Sequence, residues 1–313
     1  MKNIINFITI ILAAGMISCN KEKAPVTDPA STTGNLSSLQ QFYDHFKPQK
    51  QTFVVNGTTG GSFTTPQGTI VTIPPNAFVS QSQVPITGNV NIEFMDLYKK
   101  SDMLFADVST SLYWGAPLKS AGEFFIKASS NNAPVQLTNG NMINVQQPLM
   151  NQPVDTAMVP FVRIDSISWT GWSTDPNYQL LVNQTNYLFS MYQFANPADS
   201  GTWCNSDNPS FFNNYTQTNL TIHPNDDPNL FHPDVFLVFT GINTMIHVYE
   251  SGIDFPYLYA PVGLQCTVVA VGVKGGKLYS SFTPITISAN QTSNFTLSET
   301  TEVQFKAQLD ALN

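Results

Sequence analysis

Apolar residues recur at helical spacing in two short stretches of this chain, and between them they mostly alternate. Leu39, Phe42, Tyr43 and Phe46 fall on one helical face, which predicts a short amphipathic helix over 38–47 that stops before Pro48. Beyond it the period becomes two. Val90, Ile92 and Phe94 alternate with Asn91 and Glu93, Phe124 and Ile126 with Glu123 and Lys127, and Ile143 and Val145 flank Asn144. The same habit continues through 235–239, 264–273, 278–282 and 285–287, with turn clusters between the runs at Gly60-Gly61, Pro74-Pro75-Asn76, Asn139-Gly140 and Gly275-Gly276. Short alternating strands separated by Gly, Pro and Asn turns predict an all-β chain of two antiparallel β-sandwich domains. Val303, Phe305, Leu309 and Leu312 return to helical spacing, so a C-terminal helix is expected over 299–312 with Ser298 as its N-cap.

The first residues follow different rules. Lys2 precedes an apolar run from Ile4 to Ala14 that is too short for a bilayer, which needs about 20 apolar residues, and suits a signal peptide. The run ends at Met16-Ile17-Ser18-Cys19, which resembles a lipobox although Met16 stands where Leu is usual. The expectation is a signal peptide over 1–18 and lipidation at Cys19. Acyl chains contribute about 0.8 kcal/mol per buried methylene, enough for two or three to hold a protein on a membrane. Asn20-Lys21-Glu22-Lys23 resembles the surface-export signals of Bacteroidota lipoproteins, and 24–38 is a Pro, Ser, Thr and Gly tether with little to bury. A lipid-anchored protein of the outer membrane, displayed outward, is the expected placement.

About 275 residues follow the tether, enough for two ordinary domains. The first sandwich, with its leading helix, is expected over 39–160. An aromatic-rich connection should cover 161–215, and the second sandwich and C-terminal helix 216–313. Only 11% of residues are charged, against about 25% typically, and the net charge is −8 with Arg163 the single arginine. Such a chain lacks the clustered cations that nucleic acid requires. Once Cys19 is lipidated, Cys204 and Cys266 either pair or remain buried thiols, and spacing does not decide between these.

Residues 60–95 resemble the ZU-five domain of netrin receptors, ankyrins and tight-junction scaffolds: a Gly-Gly pair, a strand with Ile70 and Ile73, the Pro74-Pro75 stop, then Asn76, Ala77 and Phe78. The likeness fades through 118–129. The mature chain as a whole is similar to Bacteroidota lipoproteins that join such a domain, through a Trp-Cys connection (here 201–207), to a sandwich like carboxypeptidase regulatory domains. Pro261-Val262-Gly263 and Gly275-Gly276-Lys277 carry that second likeness. The resemblance implies fold and placement. It implies no self-cleavage, because Leu188 precedes Phe189-Ser190 where self-cutting relatives have His.

No P-loop, dinucleotide fingerprint, HExxH or GxSxG occurs, and no cofactor is expected. His223, Asp226, Asp227, His232 and Asp234 supply imidazole and carboxylate donors within twelve residues, which reads as a metal loop or as a Pro- and Asn-rich surface turn. Asp96, Asp102 and Asp107 read as separate solvent-facing residues, His247 as a strand residue and His45 as exposed on its helix. Trp169, Trp172 and Tyr178 form either a sugar-stacking platform or packing between the domains. Thr156 and Ser166 lie in Asp-Thr-Ala and Asp-Ser-Ile tripeptides that resemble the Bacteroidota O-glycosylation signal. Two function classes follow: a non-enzymatic surface module that binds, scaffolds or spaces, its partner an unnamed surface protein or glycan, and a glycan-binding lipoprotein of a nutrient-uptake system.

Overall fold

Strands with one apolar face need one core, and strands apolar on both faces need two. The protein has both kinds. The computed structural model describes residues 35–165, 170–195, 198, 201–227 and 232–313. Among them the fold is all-β, with four sheets arranged as two sandwiches and short helices toward both ends.

The first sandwich uses β1 (Gln51–Asn56), β2 (Gly61–Thr64), β3 (Ile70–Ile73), β4 (Phe78–Ser80), β5 (Asn89–Leu97), β6 (Lys119–Ser130), β7 (Ala133–Leu137), β8 (Ile143–Pro148), β9 (Val159–Asp165), β10 (Thr170–Ser173), β11 (Tyr178–Val182), β12 (Asn186–Met191) and β13 (Gly201–Asn208). One sheet runs β1-β5-β6-β13-β9-β10, with β7 joined to β6 and β4 to β7; the facing sheet runs β11-β12-β8-β3-β2. Phe94, Phe124, Val145, Phe189 and Cys204 lie in the core between them. The Gly-Gly and Ile-Pro-Pro elements meet in space. Gly61 pairs with Ile73, and a Cβ on Gly60 would stand 2.3 Å from the Ile73 carbonyl oxygen, so only glycine allows this approach.

The stretch 161–215, read from sequence as a connection, supplies β9 to β13 to these two sheets, and β13 is paired on both sides, with β6 and with β9. Of its aromatics, Tyr178, Phe189 and Phe194 lie in the first sandwich's core, Phe161, Trp172 and Trp203 turn to a core shared with the second, and Phe211, Phe212 and Tyr215 pack in the second. The GTWCNSD segment, which looks loop-like in sequence, is this strand.

The second sandwich uses β14 (Gln217–Pro224), β15 (Asp234–Phe239), β16 (Met245–Val248), β17 (Phe255–Pro261), β18 (Gln265–Lys274), β19 (Lys277–Thr286), β20 (Gln291–Phe295) and β21 (Ser298–Thr300). Its sheets run β17-β14-β20, in which β14 and β20 are parallel, and β16-β15-β18-β19-β21. Leu220, Val235, Phe255, Cys266 and Val268 fill the space between. Cys204 and Cys266 are free thiols in separate cores, and burial pushes both up, Cys266 to about 12.

The two sandwiches share a third core. Met95, Leu97, Phe125 and Phe161 face it from the first, and Phe236, Val238, Val269 and Val271 from the second. This is why β15 and β18 read as nearly continuous apolar runs. Three helices close the same core: α1 (Leu39–Phe46), α2 (Lys100–Phe105) and α3 (Glu302–Asp310). The Phe42 ring lies 5.7 Å from Phe105 and 5.2 Å from Phe305, edge-on to both. Ser38 caps α1, accepting from the Gln41 N–H at 3.2 Å. For α3 the capping box is Thr301 with Gln304, not Ser298, which instead starts β21.

Candidate functional site

An open cleft of about 330 Å³ lies where the sandwiches meet, its walls drawn from both. One wall is the segment between α2 and β6. That segment leaves the first sandwich and binds the edge of the second: Thr110 N–H donates to the Met245 carbonyl at 2.8 Å, and Thr244 Oγ1 donates to the Leu118 carbonyl at 2.8 Å. Thr110 Oγ1 also accepts the Met245 N–H at 2.8 Å. The tip of the segment folds into a tight turn, with Leu112 N–H bound to the Ala116 carbonyl and Gly115 N–H to the Leu112 carbonyl at 2.7 Å. Gly115 has φ +96°, a left-handed conformation that costs glycine little. The tip rests on β10 at Gly171, where a Cβ would sit 2.5 Å from the Tyr113 Cα. Tyr257 holds it from the other side, its hydroxyl donating to the Gly115 carbonyl at 3.1 Å. So fixed, the tip presents Tyr113 and Trp114, their rings 4.5 Å apart and perpendicular, at 44% and 49% exposure.

β16, β17 and the residues just beyond β16 make the opposite wall. Tyr249 and Leu258 are exposed there, and the His247 ring stacks on Tyr249 at 4.5 Å and lies tilted against Phe236 at 4.6 Å. At one end the cleft is polar. Asp107 has φ +53° and an exposed side chain, its Oδ1 lies 3.4 Å from His247 Nδ1, and its backbone carbonyl accepts from Arg163 Nη1 at 3.3 Å. The His247 Nδ1 is buried and, at 3.4 Å from Asp107, makes no full hydrogen bond. Even so, His247 is the main influence holding the Asp107 carboxyl below its ordinary range. Arg163 and Lys47 add to it while partial burial opposes it. Behind His247, Asp234 Oδ1 lies 3.8 Å from Nε2, and Asp234 Oδ2 accepts from Tyr43 at 2.6 Å.

The residues singled out from sequence fall elsewhere. Trp172 and Tyr178 are buried side chains, not a platform: the Trp172 indole donates to the Ser109 carbonyl at 2.8 Å and the Tyr178 hydroxyl to the Gln193 carbonyl at 3.1 Å. Trp169, Ser166 and Cys19 lie outside the described residues. The histidine and aspartate loop is dispersed. His223 binds Asp254 at 2.6 Å, Asp226 accepts the Leu297 N–H at 2.8 Å, Asp234 faces Tyr43, and Asp227 and His232 are exposed. Among the described residues no group of three or more His, Cys, Asp or Glu is placed to hold a metal ion. Thr156 is exposed in the turn before β9. Asp96 is buried rather than solvent-facing, accepting from Thr65 and Thr69 hydroxyls at 2.6 Å each, while burial also raises Asp102. His45 binds Glu302 at 2.7 Å, tying α1 to α3.

A second group of carboxyls is fully buried under the junction. Glu123 Oε1 accepts from Asn205 at 3.2 Å, but Glu123 Oε2 and both Asp207 carboxyl oxygens have no hydrogen-bond partner. Burial pushes both groups well up, and the neighbouring Asp207 raises Glu123 further.

Sequence reasoning passed over Tyr113, Trp114, Tyr249 and Leu258. The signal for the first two was the Tyr-Trp-Gly triplet at 113–115, an aromatic pair beside a glycine in a stretch without strand alternation.

No protein-family model matches the chain, and no curated protein matches it. Among solved structures, the major pilin subunit BcpA of Bacillus cereus is similar at 9% identity over 81% of this chain and 100% of the pilin chain, with a TM-score of 0.20. A score that low gives no basis for carrying function across.

Proposed function

We propose that this protein is a non-catalytic binding module, tethered by lipid at Cys19 to the outer membrane and displayed outward on a ZU-five-like and a carboxypeptidase-regulatory-like sandwich. The observation that carries the binding role is the junction cleft. Large aromatic faces are left in solvent there on a tip held from three sides, which is how a rigid scaffold presents a contact surface. The lipobox-like Met16 to Cys19 and the charged run behind it support the tether. The cleft offers little to covalent chemistry: Ser109 Oγ lies 3.1 Å from Ser111 Oγ, accepts the His247 backbone N–H at 3.2 Å and donates to the Met245 carbonyl at 3.3 Å, so it is held by neighbours and is not aimed by the imidazole.

One set of measurements on the full-length protein tests the reading. A library of sugar, amide and aromatic fragments should perturb the Trp114 indole signal by NMR. Generic ester, glycoside and peptide substrates should show no turnover, and alkyne-palmitate should label the wild type but not Cys19→Ala. Fragments that leave Trp114 untouched, or turnover that disappears in His247→Ala, would overturn the binding or the non-catalytic role; equal labelling of Cys19→Ala would remove the tether.

A further inference from the structure

The cleft pairs flat apolar rings with planar charged groups at one end. Resting on the binding-module reading above, we propose that its ligand is a neutral polysaccharide, with one pyranose ring stacked on Trp114 and its hydroxyls held by Asp107 and Arg163. A pyranose has an apolar C–H face and an equatorial rim of hydroxyls. The cleft offers the matching pair of surfaces, exposed aromatic faces at Tyr113, Trp114 and Tyr249 and a carboxylate beside a guanidinium at one end. Its volume of about 330 Å³ is at the low end of the roughly 300–1,000 Å³ of small-molecule sites, suited to a short piece of a chain that runs on into solvent.

The polar end decides between a sugar and the other polymer that docks on aromatic grooves, a proline-rich peptide. An ionised carboxylate only accepts hydrogen bonds and a guanidinium only donates. Vicinal hydroxyls satisfy both at once, because each can donate to Asp107 while accepting from Arg163. A polyproline helix presents carbonyl oxygens and no N–H, so it would set acceptors against the Asp107 carboxylate. A carboxyl in the ordinary range is already in the accepting form near neutral pH, and His247 and Arg163 shift Asp107 further the same way. The chain's net charge of −8 argues against a polyanionic glycan.

The test titrates the full-length protein with cellohexaose, mannohexaose, xylohexaose, maltohexaose and decaproline, following the Trp114 indole signal. At least one hexaose should shift that signal. Measured by calorimetry, which needs no indole signal, Trp114→Ala should weaken its binding by about two- to tenfold, the effect of losing a stacked face, and Asp107→Asn should weaken it severalfold with the melting temperature unchanged. Val54→Ala, an exposed apolar change on β1, should leave binding intact. If none of the hexaoses shifts Trp114 while decaproline or the fragments do, the saccharide inference is wrong and the cleft remains a binding site. If nothing at all binds there, both readings fall.

Discussion

Glu123 and Asp207 sit on neighbouring strands under the junction, with three of their four carboxyl oxygens unpaired. An unpartnered buried carboxylate is costly, so the groups hold protons in the fold that they release when unfolded. Their folded pKa values therefore lie above the unfolded values of about 4.3 for Glu and 3.9 for Asp. The associated stability is complete below those unfolded values and is lost as pH rises toward the folded ones, with a slope of up to about 1.4 kcal/mol per pH unit for each extra proton held. Asp207→Asn and Glu123→Gln should each flatten the decline of unfolding free energy between pH 5 and 8, as measured by urea titration at several pH values. Variants that track the wild-type slope would show that the pair is ionised in the fold. Nothing near Glu123 in the sequence signals burial, since Glu-Phe-Phe-Ile-Lys reads as one polar and one apolar face. The reason appears only when both faces of β6 prove to be covered, Phe124 turned into one core and Phe125 into another. Asp96 misleads for the same reason: its hydroxyl donors, Thr65 and Thr69, are some thirty residues away.

Among the elements, the segment between α2 and β6 has the largest consequence, because it makes the cleft wall and also joins the sandwiches. Thr110 is fully buried and makes three contacts with Met245: its N–H and hydroxyl both reach the Met245 carbonyl, and its oxygen accepts the Met245 N–H. Thr110→Val keeps the shape and removes the oxygen, leaving the Met245 N–H without that acceptor. A buried donor left unsatisfied costs about 1–3 kcal/mol. The variant should lose that much stability, and amide hydrogen exchange should speed up in 109–118 and β16 before it does in β8. Unchanged exchange in β16 would mean that the clamp is incidental. The regular elements were legible because period-two patterning marks a strand whatever it later packs against. The α1 helix was legible for the corresponding reason, with Phe42 and Tyr43 buried on one face. The clamp and α2 were not legible. The clamp's hydrogen bonds run to β16 and those of α2 to Phe239 in β15 and to Asn313, all more than a hundred residues further along the chain, and no local periodicity encodes a partner at that distance.

At the scale of the whole molecule, the question is whether the sandwiches fold as two bodies or one. The described residues form one compact unit, and the third core is what makes it so, since it takes side chains from both sandwiches and all three helices. The aromatic stretch around Trp203 was expected to bridge the halves. Trp203 is only half-buried at the edge of this core, 5.4 Å from Phe125, while Phe42, Phe105, Phe236 and Phe305 occupy the middle. Phe105 is the informative position: it is 2% exposed and touches the rings of Phe42, Phe46 and Phe305 while belonging to neither sandwich's own interior. Phe105→Ala should cost about 3–5 kcal/mol, the usual loss for truncating a large buried side chain. If the shared core couples the sandwiches, the variant still unfolds in one calorimetric transition at lower temperature, and hydrogen exchange in β8 and β18 accelerates by the same factor. If the third core is only a contact between independent folds, Phe105→Ala instead splits the transition in two, and β8 and β18 keep wild-type protection at temperatures where 109–118 exchanges freely. Trp203→Ala is the companion measurement: at a half-buried edge position it should cost clearly less than Phe105→Ala, and an equal or larger loss would return the keystone to the aromatic stretch.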